Sequence, residues 1–345
     1  MRQLVFEETG RYGWHEAPDP AITTADQALV RPLAVACCDL DVAVVDGRVP
    51  LPPGYAVGHE GVAEVVAVGD GVSTVGVGDR VVVPFQINRG KCHACRRGRT
   101  GSCTSVPLMA MYGMRPLAGL DGGGFMADLV SVPYADAMLV ALPANLDPAD
   151  LIAVASLSDN IPDAWRTVGP FKDDLFGLEP ADRRVLVVGR SSIGLYAAAF
   201  AAALGAHVDY VDIDVQRLAV AEKFGASAHD RPKPAKEWDP YPVTVHTSAD
   251  PSVLAAALRA TWPDGVCTDT GIYYQPTVEM PLLSMYTRGV RFVTGRVNAR
   301  AVIPEILGVL AAGCDLSPAV DRVVAWDDAA SAWPAMTGKT VFART

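Results

Sequence analysis

The chain has 345 residues, 50% of them hydrophobic, which is long for one core and predicts two domains. A net charge of −10 argues against a nucleic-acid partner, and the short run Arg96, Arg97 and Arg99 reads as a solvated loop. The longest apolar stretch, Ile193 to Ala206, has 14 residues, too few to span a membrane. The opening MRQLVFEETG has two glutamates where a secretory signal needs an apolar core, so a soluble cytoplasmic protein is expected.

The N-terminal part reads as all-β. Short Val-rich runs such as Gly61 to Val68 and Asp79 to Pro84 are punctuated by Gly and Pro, and they predict a barrel-like domain. From Asp147 to Thr167 the sequence reads helical, opened by Asp and Pro. From Arg183 onward strands and helices alternate. Strands are predicted at Arg184 to Val188, His207 to Val211, Val243 to Thr247, Gly265 to Asp269 and Val290 to Thr294. Helices are predicted at Ser192 to Leu204 and Val215 to Phe224, the second ended by Gly225. This alternation implies a doubly wound parallel sheet. A helix at Ala301 to Ala312 and a strand at Arg322 to Ala325 are expected to return the chain to the first domain.

Within the alternating part, Gly189-Arg190-Ser191-Ser192-Ile193-Gly194 is a turn between a strand and a helix. In the dinucleotide fingerprint the first Gly makes the tight turn, the second admits the pyrophosphate and the third allows close packing of helix on strand. Gly189 and Gly194 fit, while Ser191 stands at the middle position, where its Cβ would crowd a phosphate. Asp212 ends the second strand, 18 residues after Gly194, where a carboxylate can accept hydrogen bonds from a ribose. That charge repels a 2′-phosphate, so NAD(H) is expected in preference to NADP(H), with Arg217 close by as an opposing charge.

Seven cysteines stand at 37, 38, 92, 95, 103, 267 and 314. An odd number in a cytoplasmic chain points to metal ligands more than to disulfides. Three segments carry candidate ligands: Cys37-Cys38-Asp39-Leu40-Asp41, Gly58-His59-Glu60 and Leu157-Ser158-Asp159-Asn160. Taken singly, His59 reads as a structural histidine, Asp41 or Asp159 as a cap, and Cys38 as a small buried hydrophobe. In this order, and with the Gly turn and the ending GKTVF, they resemble the zinc-containing medium-chain alcohol dehydrogenases over essentially the whole chain.

The resemblance implies a GroES-like β-barrel catalytic domain over residues 1–160 and 299–345, and a Rossmann cofactor domain over 161–298. It implies a catalytic zinc held by Cys38, His59 and Asp159, with Glu60 as a further possible ligand and Asp41 orienting the imidazole of His59. Cys38 is chosen because it precedes His59 by 21 residues, the family's spacing, and Cys37 is the fallback. The activity implied is hydride transfer between a nicotinamide and an alcohol or carbonyl, in a homodimer or homotetramer. Phe85, Met109, Met111 and Tyr112 fall in segments that line the substrate cleft of relatives and suggest an apolar, fairly large substrate, with at least two of the four expected to be ordinary core.

Several positions depart from the family pattern. Leu40 stands where a Ser or Thr begins the proton relay, Ala43 and Val44 where a shuttle histidine is found, and Asp39 where a residue faces the pyrophosphate. Cys92, Cys95 and Cys103 match three of the four ligands of the family's structural zinc, with Arg89 in the first position and His93 an unsuitable replacement. Two alternatives therefore stand beside the dehydrogenase reading: a reductase of an activated C=C or C=N bond, and a zinc-binding relative that has lost redox function.

Overall fold

β-Branched side chains suit a pleated surface buried on one face, and the Val-rich runs form strands accordingly. The computed structural model describes residues 1–113, 123–236 and 238–344. In chain order the first strands are β1 (Arg2–Glu8), β2 (Arg11–Glu16), β3 (Ala28–Ala36), β4 (Tyr55–Ala56), β5 (Glu60–Val68), β6 (Arg80–Val83), β7 (Val130–Val132) and β8 (Val140–Ala141). There follow β9 (Arg184–Val188), β10 (His207–Asp212), β11 (Ser227–Asp230), β12 (Tyr241–His246), β13 (Thr261–Asp269) and β14 (Arg291–Val293), and finally β15 (Arg322–Ala325) and β16 (Thr340–Ala343). The chain divides into two units. One comprises Met1–Pro162, Val297–Glu305 and Val320–Thr345, the other Asp163–Arg296 and Ile306–Ala319.

In the first unit a sheet of order β15-β16-β3-β5-β6-β8, with β7 also paired to β3, accompanies a three-stranded sheet of order β2-β1-β4. Its core includes Leu4, Val30, Val35, Val65, Val83, Phe125, Trp333 and Phe342, all almost fully buried. Two antiparallel registers bring separate strand ends together. Ala36 at the end of β3 faces Glu60 at the start of β5, and Gly61 faces Val83 at the end of β6. Residues just beyond these strand ends, Cys38, His59 and Phe85, are thereby gathered at one edge. Gly58 makes the turn before His59 with φ +92, and a Cβ there would lie 2.8 Å from the amide nitrogen of Met126, so only glycine fits.

The second unit holds a parallel sheet of order β11-β10-β9-β12-β13-β14. This is the doubly wound arrangement, whose ligands lie at the carboxyl ends of the strands where the order reverses. All six residues of β12 are buried, as a central parallel strand requires. The Ala-rich helix Ser192–Ala203 is apolar all round and is correspondingly buried. The fold is α/β, a GroES-like barrel and a Rossmann-type sheet. No helix among the described residues is long and apolar enough to cross a membrane.

Candidate metal centre and nucleotide crevice

The helix predicted from Asp147 to Thr167 is three pieces: Pro148–Ala153, a 3-10 turn at Ala155–Ser158, and Asn160–Val168. The break follows from Pro162, which has no N–H to donate to the carbonyl of Ser158 and would clash with it in a continuous helix. That carbonyl accepts instead from the N–H of Phe85 at 3.2 Å, and the Ser158 hydroxyl accepts from the N–H of Gly61 at 2.7 Å. Asp159 sits in the gap with φ −149 and ψ −78, outside helical geometry, and joins the edge where β3 and β5 meet.

There Cys38 Sγ, one His59 ring nitrogen and one carboxylate oxygen each from Glu60 and Asp159 all lie within 4.8 Å of one another. His59 Nε2 is 3.3 Å from Cys38 Sγ, 3.5 Å from Asp159 Oδ2 and 3.8 Å from Glu60 Oε1. Glu60 and His59 are fully buried, and Glu60 Oε1 has no hydrogen-bond partner among the described residues. Cys37 lies in the barrel core and outside this group.

Asp41 ties two of these residues together. Its Oδ2 accepts from the N–H of Cys38 at 2.9 Å, forming a capping box at the start of helix Asp39–Val45, and its Oδ1 is 3.5 Å from His59 Nδ1. Lys339, also fully buried, donates to Glu60 Oε2 at 3.1 Å and to Asn160 Oδ1 at 3.0 Å. Its role was not read from the sequence. Only the place of a lysine in the GKTVF ending marked it, and nothing local shows that β16 brings this segment beside β3.

Burial pushes the Cys38 thiol up to about 12, against the pull of His59. Burial works to lower His59, yet Asp41 and Cys38 hold it well above its ordinary value. Burial also raises Glu60 to about 7, opposed by Lys339 and assisted by Asp159. A thiol, an imidazole and two carboxylates crowded in low dielectric compete for protons, and a divalent cation relieves that competition by replacing them. The mixed S, N and O donors and the orphaned Glu60 oxygen fit zinc.

Of the residues expected near substrate, Phe85 meets the His59 ring edge-on with centroids 6.1 Å apart, and it packs with Met111, Val297 and Ala299. Tyr112 belongs to the barrel core, its hydroxyl donating to the Ser131 carbonyl. Met109 is 40% exposed, with φ +66. Leu40 is half-buried, Asp39 is exposed in the first helical turn, and Ala43 is buried.

In the second cysteine cluster, Cys92 Sγ is 3.5 Å from Cys95 Sγ and 3.9 Å from Cys103 Sγ. The N–H groups of Cys95 and Thr104 point at Cys92 Sγ and draw its thiol down to about 5. Burial and the neighbouring thiols push Cys95 up to about 12. Arg89 and His93 are exposed, and Arg89 contributes its backbone N–H to Cys103 Sγ at 3.5 Å. Three donors are one short of a closed tetrahedral site.

In the second unit, Gly189 directly follows β9, and a Cβ there would lie 2.3 Å from the Tyr210 hydroxyl. Ser191 is the N-cap of the helix that follows, its hydroxyl accepting from the Gly194 N–H at 3.4 Å. Ser192 and Ile193 form the first helical turn. Asp212 is almost fully buried at the end of β10. Its Oδ1 accepts from the N–H groups of Ile213 and Asp214 and from Arg217 Nη2. Its Oδ2 accepts from the Tyr210 hydroxyl at 3.1 Å and from Arg217 Nε at 2.7 Å. Although burial opposes it, these partners, Arg217 foremost, hold the carboxyl below its ordinary range. A carboxylate offers about four lone-pair positions, so this one is saturated.

A barrel edge carrying Cys, His and carboxylates, together with a doubly wound sheet opening on a glycine turn, defines a class: the zinc-type oxidoreductases built on a GroES-like and a Rossmann-type domain. Comparison with known proteins agrees. The alcohol dehydrogenase GroES-like domain matches residues 24–144. A medium chain reductase/dehydrogenase of Acremonium sp is 30% identical over 235 residues, covering 68% of this chain and 77% of that protein. A probable zinc-binding alcohol dehydrogenase of Mycobacterium tuberculosis is 28% identical over 324 residues, covering 91% of this chain and 79% of the relative. The solved alcohol dehydrogenase TADH from Thermus sp. ATN1 superimposes with a TM-score of 0.87 at 27% identity, covering 100% of both chains. The chain spans 53% of the length of the glutathione-independent formaldehyde dehydrogenase of Pseudomonas aeruginosa, to which it is 36% identical over 221 residues. The chain belongs to the zinc-type medium-chain dehydrogenase/reductase family, as an oxidoreductase of the alcohol dehydrogenase kind.

Proposed function

We propose that the protein is a zinc-dependent, nicotinamide-linked alcohol dehydrogenase or carbonyl reductase acting on an apolar small molecule. The observation that carries this is the buried group of Cys38, His59, Glu60 and Asp159 with its orphaned Glu60 oxygen. Cys38, His59 and Asp159 would hold the zinc, with Glu60 available as a further ligand. The metal would supply Lewis acidity, polarising a carbonyl or acidifying an alcohol. Asp41 fixes the ligand geometry, Lys339 balances the charge of Glu60, and Phe85 gives the site an apolar wall.

The cofactor reading rests on Gly189, Ser191, Ser192, Ile193 and Gly194 at the start of a buried helix, on Asp212 at the end of β10 and on Arg217 in the helix that follows. NAD(H) is preferred to NADP(H), but narrowly, because Arg217 neutralises the charge that would repel a 2′-phosphate. Seven free thiols suit a reducing, cytoplasmic setting. Exposed Leu282, Leu283 and Tyr286 lie in the helix that precedes edge strand β14, and they support a homo-oligomer.

Leu40, Ala43 and Val44 leave helix Asp39–Val45 with neither hydroxyl nor imidazole, which favours a second reading, reduction of an activated C=C or C=N bond. Zinc-loaded protein assayed with NADH against aldehydes, ketones, enals and imines separates the two. Turnover of carbonyls that is lost on zinc removal supports the first, and turnover of enals or imines alone supports the second. NADH binding without turnover of any of them refutes both.

A further inference from the structure

A second polar cluster lies in the doubly wound unit, and neither the metal site nor the glycine turn uses it. His246 ends β12, Asp269 ends β13, and the two face each other in parallel register. His246 Nδ1 is 2.8 Å from Asp269 Oδ1, and His246 Nε2 is 2.8 Å from Ser248 Oγ. The Tyr273 hydroxyl approaches Nδ1 at 3.4 Å. His246 is fully buried, Asp269 is 1% exposed and Ser248 is 7% exposed. A histidine–carboxylate pair at the end of two central strands contributes little to packing that apolar residues would not supply better.

Its position gives it a use. The strand order reverses between β9 and β12, where a dinucleotide lies across the carboxyl ends of the sheet. The Thr247 N–H donates to the Val188 carbonyl at the end of β9, and a Cβ on Gly194 would lie 2.8 Å from Thr247 Oγ1. Ser248 is therefore the next residue along from the phosphate turn. Since β10 receives the adenosine half of a dinucleotide, β12 and β13 fall under the nicotinamide half.

We propose that Ser248 contacts the nicotinamide–ribose half of the cofactor, with its hydroxyl oriented by His246 and Asp269; this rests on the nucleotide-binding reading above. A carboxylate oxygen accepts, so Asp269 Oδ1 receives the hydrogen bond of the Nδ1–H tautomer, which leaves Nε2 as an acceptor. Ser248 must then donate to Nε2. Its oxygen accepts from the Asp250 N–H at 3.3 Å and keeps one lone pair for a ribose hydroxyl or carboxamide N–H. Ser248 is the ligand contact, and His246 and Asp269 are positioning residues.

The test is equilibrium binding of NADH and of ADP-ribose, which lacks the nicotinamide, to the full-length protein. Ser248→Ala should weaken NADH about three- to tenfold, the worth of one hydrogen bond, and leave ADP-ribose unchanged. Ser248→Thr, which keeps the hydroxyl, should restore NADH binding. Asp269→Asn should weaken NADH selectively, and should shift the deshielded His246 ring proton upfield in the NMR spectrum. Unchanged NADH binding in Ser248→Ala, or equal loss of both ligands, overturns the proposal. If the wild-type protein binds neither ligand, the nucleotide reading falls and takes the proposal with it, whereas binding of both with no selective loss refutes the proposal alone.

Discussion

Asp41 lies against two of the proposed zinc ligands, Cys38 and His59, and substituting it separates the two jobs proposed for a single carboxylate. One oxygen accepts the Cys38 N–H at 2.9 Å, the other lies 3.5 Å from His59 Nδ1, and the residue is 5% exposed. Losing an N-cap interaction costs about 1 kcal/mol. Losing a partner that orients a metal-ligating histidine costs about 10- to 100-fold in metal affinity, or roughly 1.4 to 2.7 kcal/mol. Asp41→Asn keeps an oxygen for the Cys38 N–H but loses the charge beside His59, whereas Asp41→Ala loses both. Urea unfolding of the zinc-free proteins should therefore show about 1 to 2 kcal/mol lost in the Ala variant and well under that in the Asn variant. Zinc competition against a chromophoric chelator should show both variants weakened by at least about tenfold. If Asp41→Asn binds zinc as tightly as the wild type, Asp41 is a helix cap and does not orient His59.

Three further outcomes follow from the geometry. Metal analysis of the purified protein should find one tightly held zinc per chain, lost in Cys38→Ala and retained in Cys103→Ala, because the second cluster has three donors among the described residues; two equivalents would refute this. Asp136 accepts from the backbone and hydroxyl groups of both Ser73 and Thr74, and although burial opposes it, these bonds lower its carboxyl from 3.8 to about 2. A depressed carboxyl contributes stability above its unfolded value and loses it as pH falls through the folded one. Asp136→Asn should accordingly cost about 1 kcal/mol at neutral pH, after discounting for solvent, and the difference should vanish between pH 4 and 2 in chemical denaturation. Finally, Arg217→Ala should release the Asp212 carboxylate. The ratio of NADPH to NADH dissociation constants should then rise by about tenfold or more from a wild-type value below about ten; an unchanged ratio would show that Asp212 takes no part in the choice.

Much was legible in the sequence because its cause is local. Val-rich alternation specifies half-buried strands, alternating strands and helices specify a parallel sheet, and the spacing of Cys38, Gly58-His59-Glu60 and Asp159 marked the residues that the fold assembles. Tertiary structure decided the rest. The helix read across Asp147 to Thr167 breaks at Asp159 because the Ser158 carbonyl, denied a partner by Pro162, finds one in Phe85, a contact 73 residues distant in sequence. Which of Phe85, Met109, Met111 and Tyr112 is core was open, and Tyr112 is, with Phe125 packed against it edge-on. Asp212 reads as a free ribose ligand, yet Arg217 and Tyr210 occupy both its oxygens. The engagement of Lys339 and of the His246–Asp269 pair has no local signature, since their partners arrive on other elements of the fold. A sequence shows which groups can donate, accept or ligate; which of them is already engaged depends on distances that only the folded chain sets.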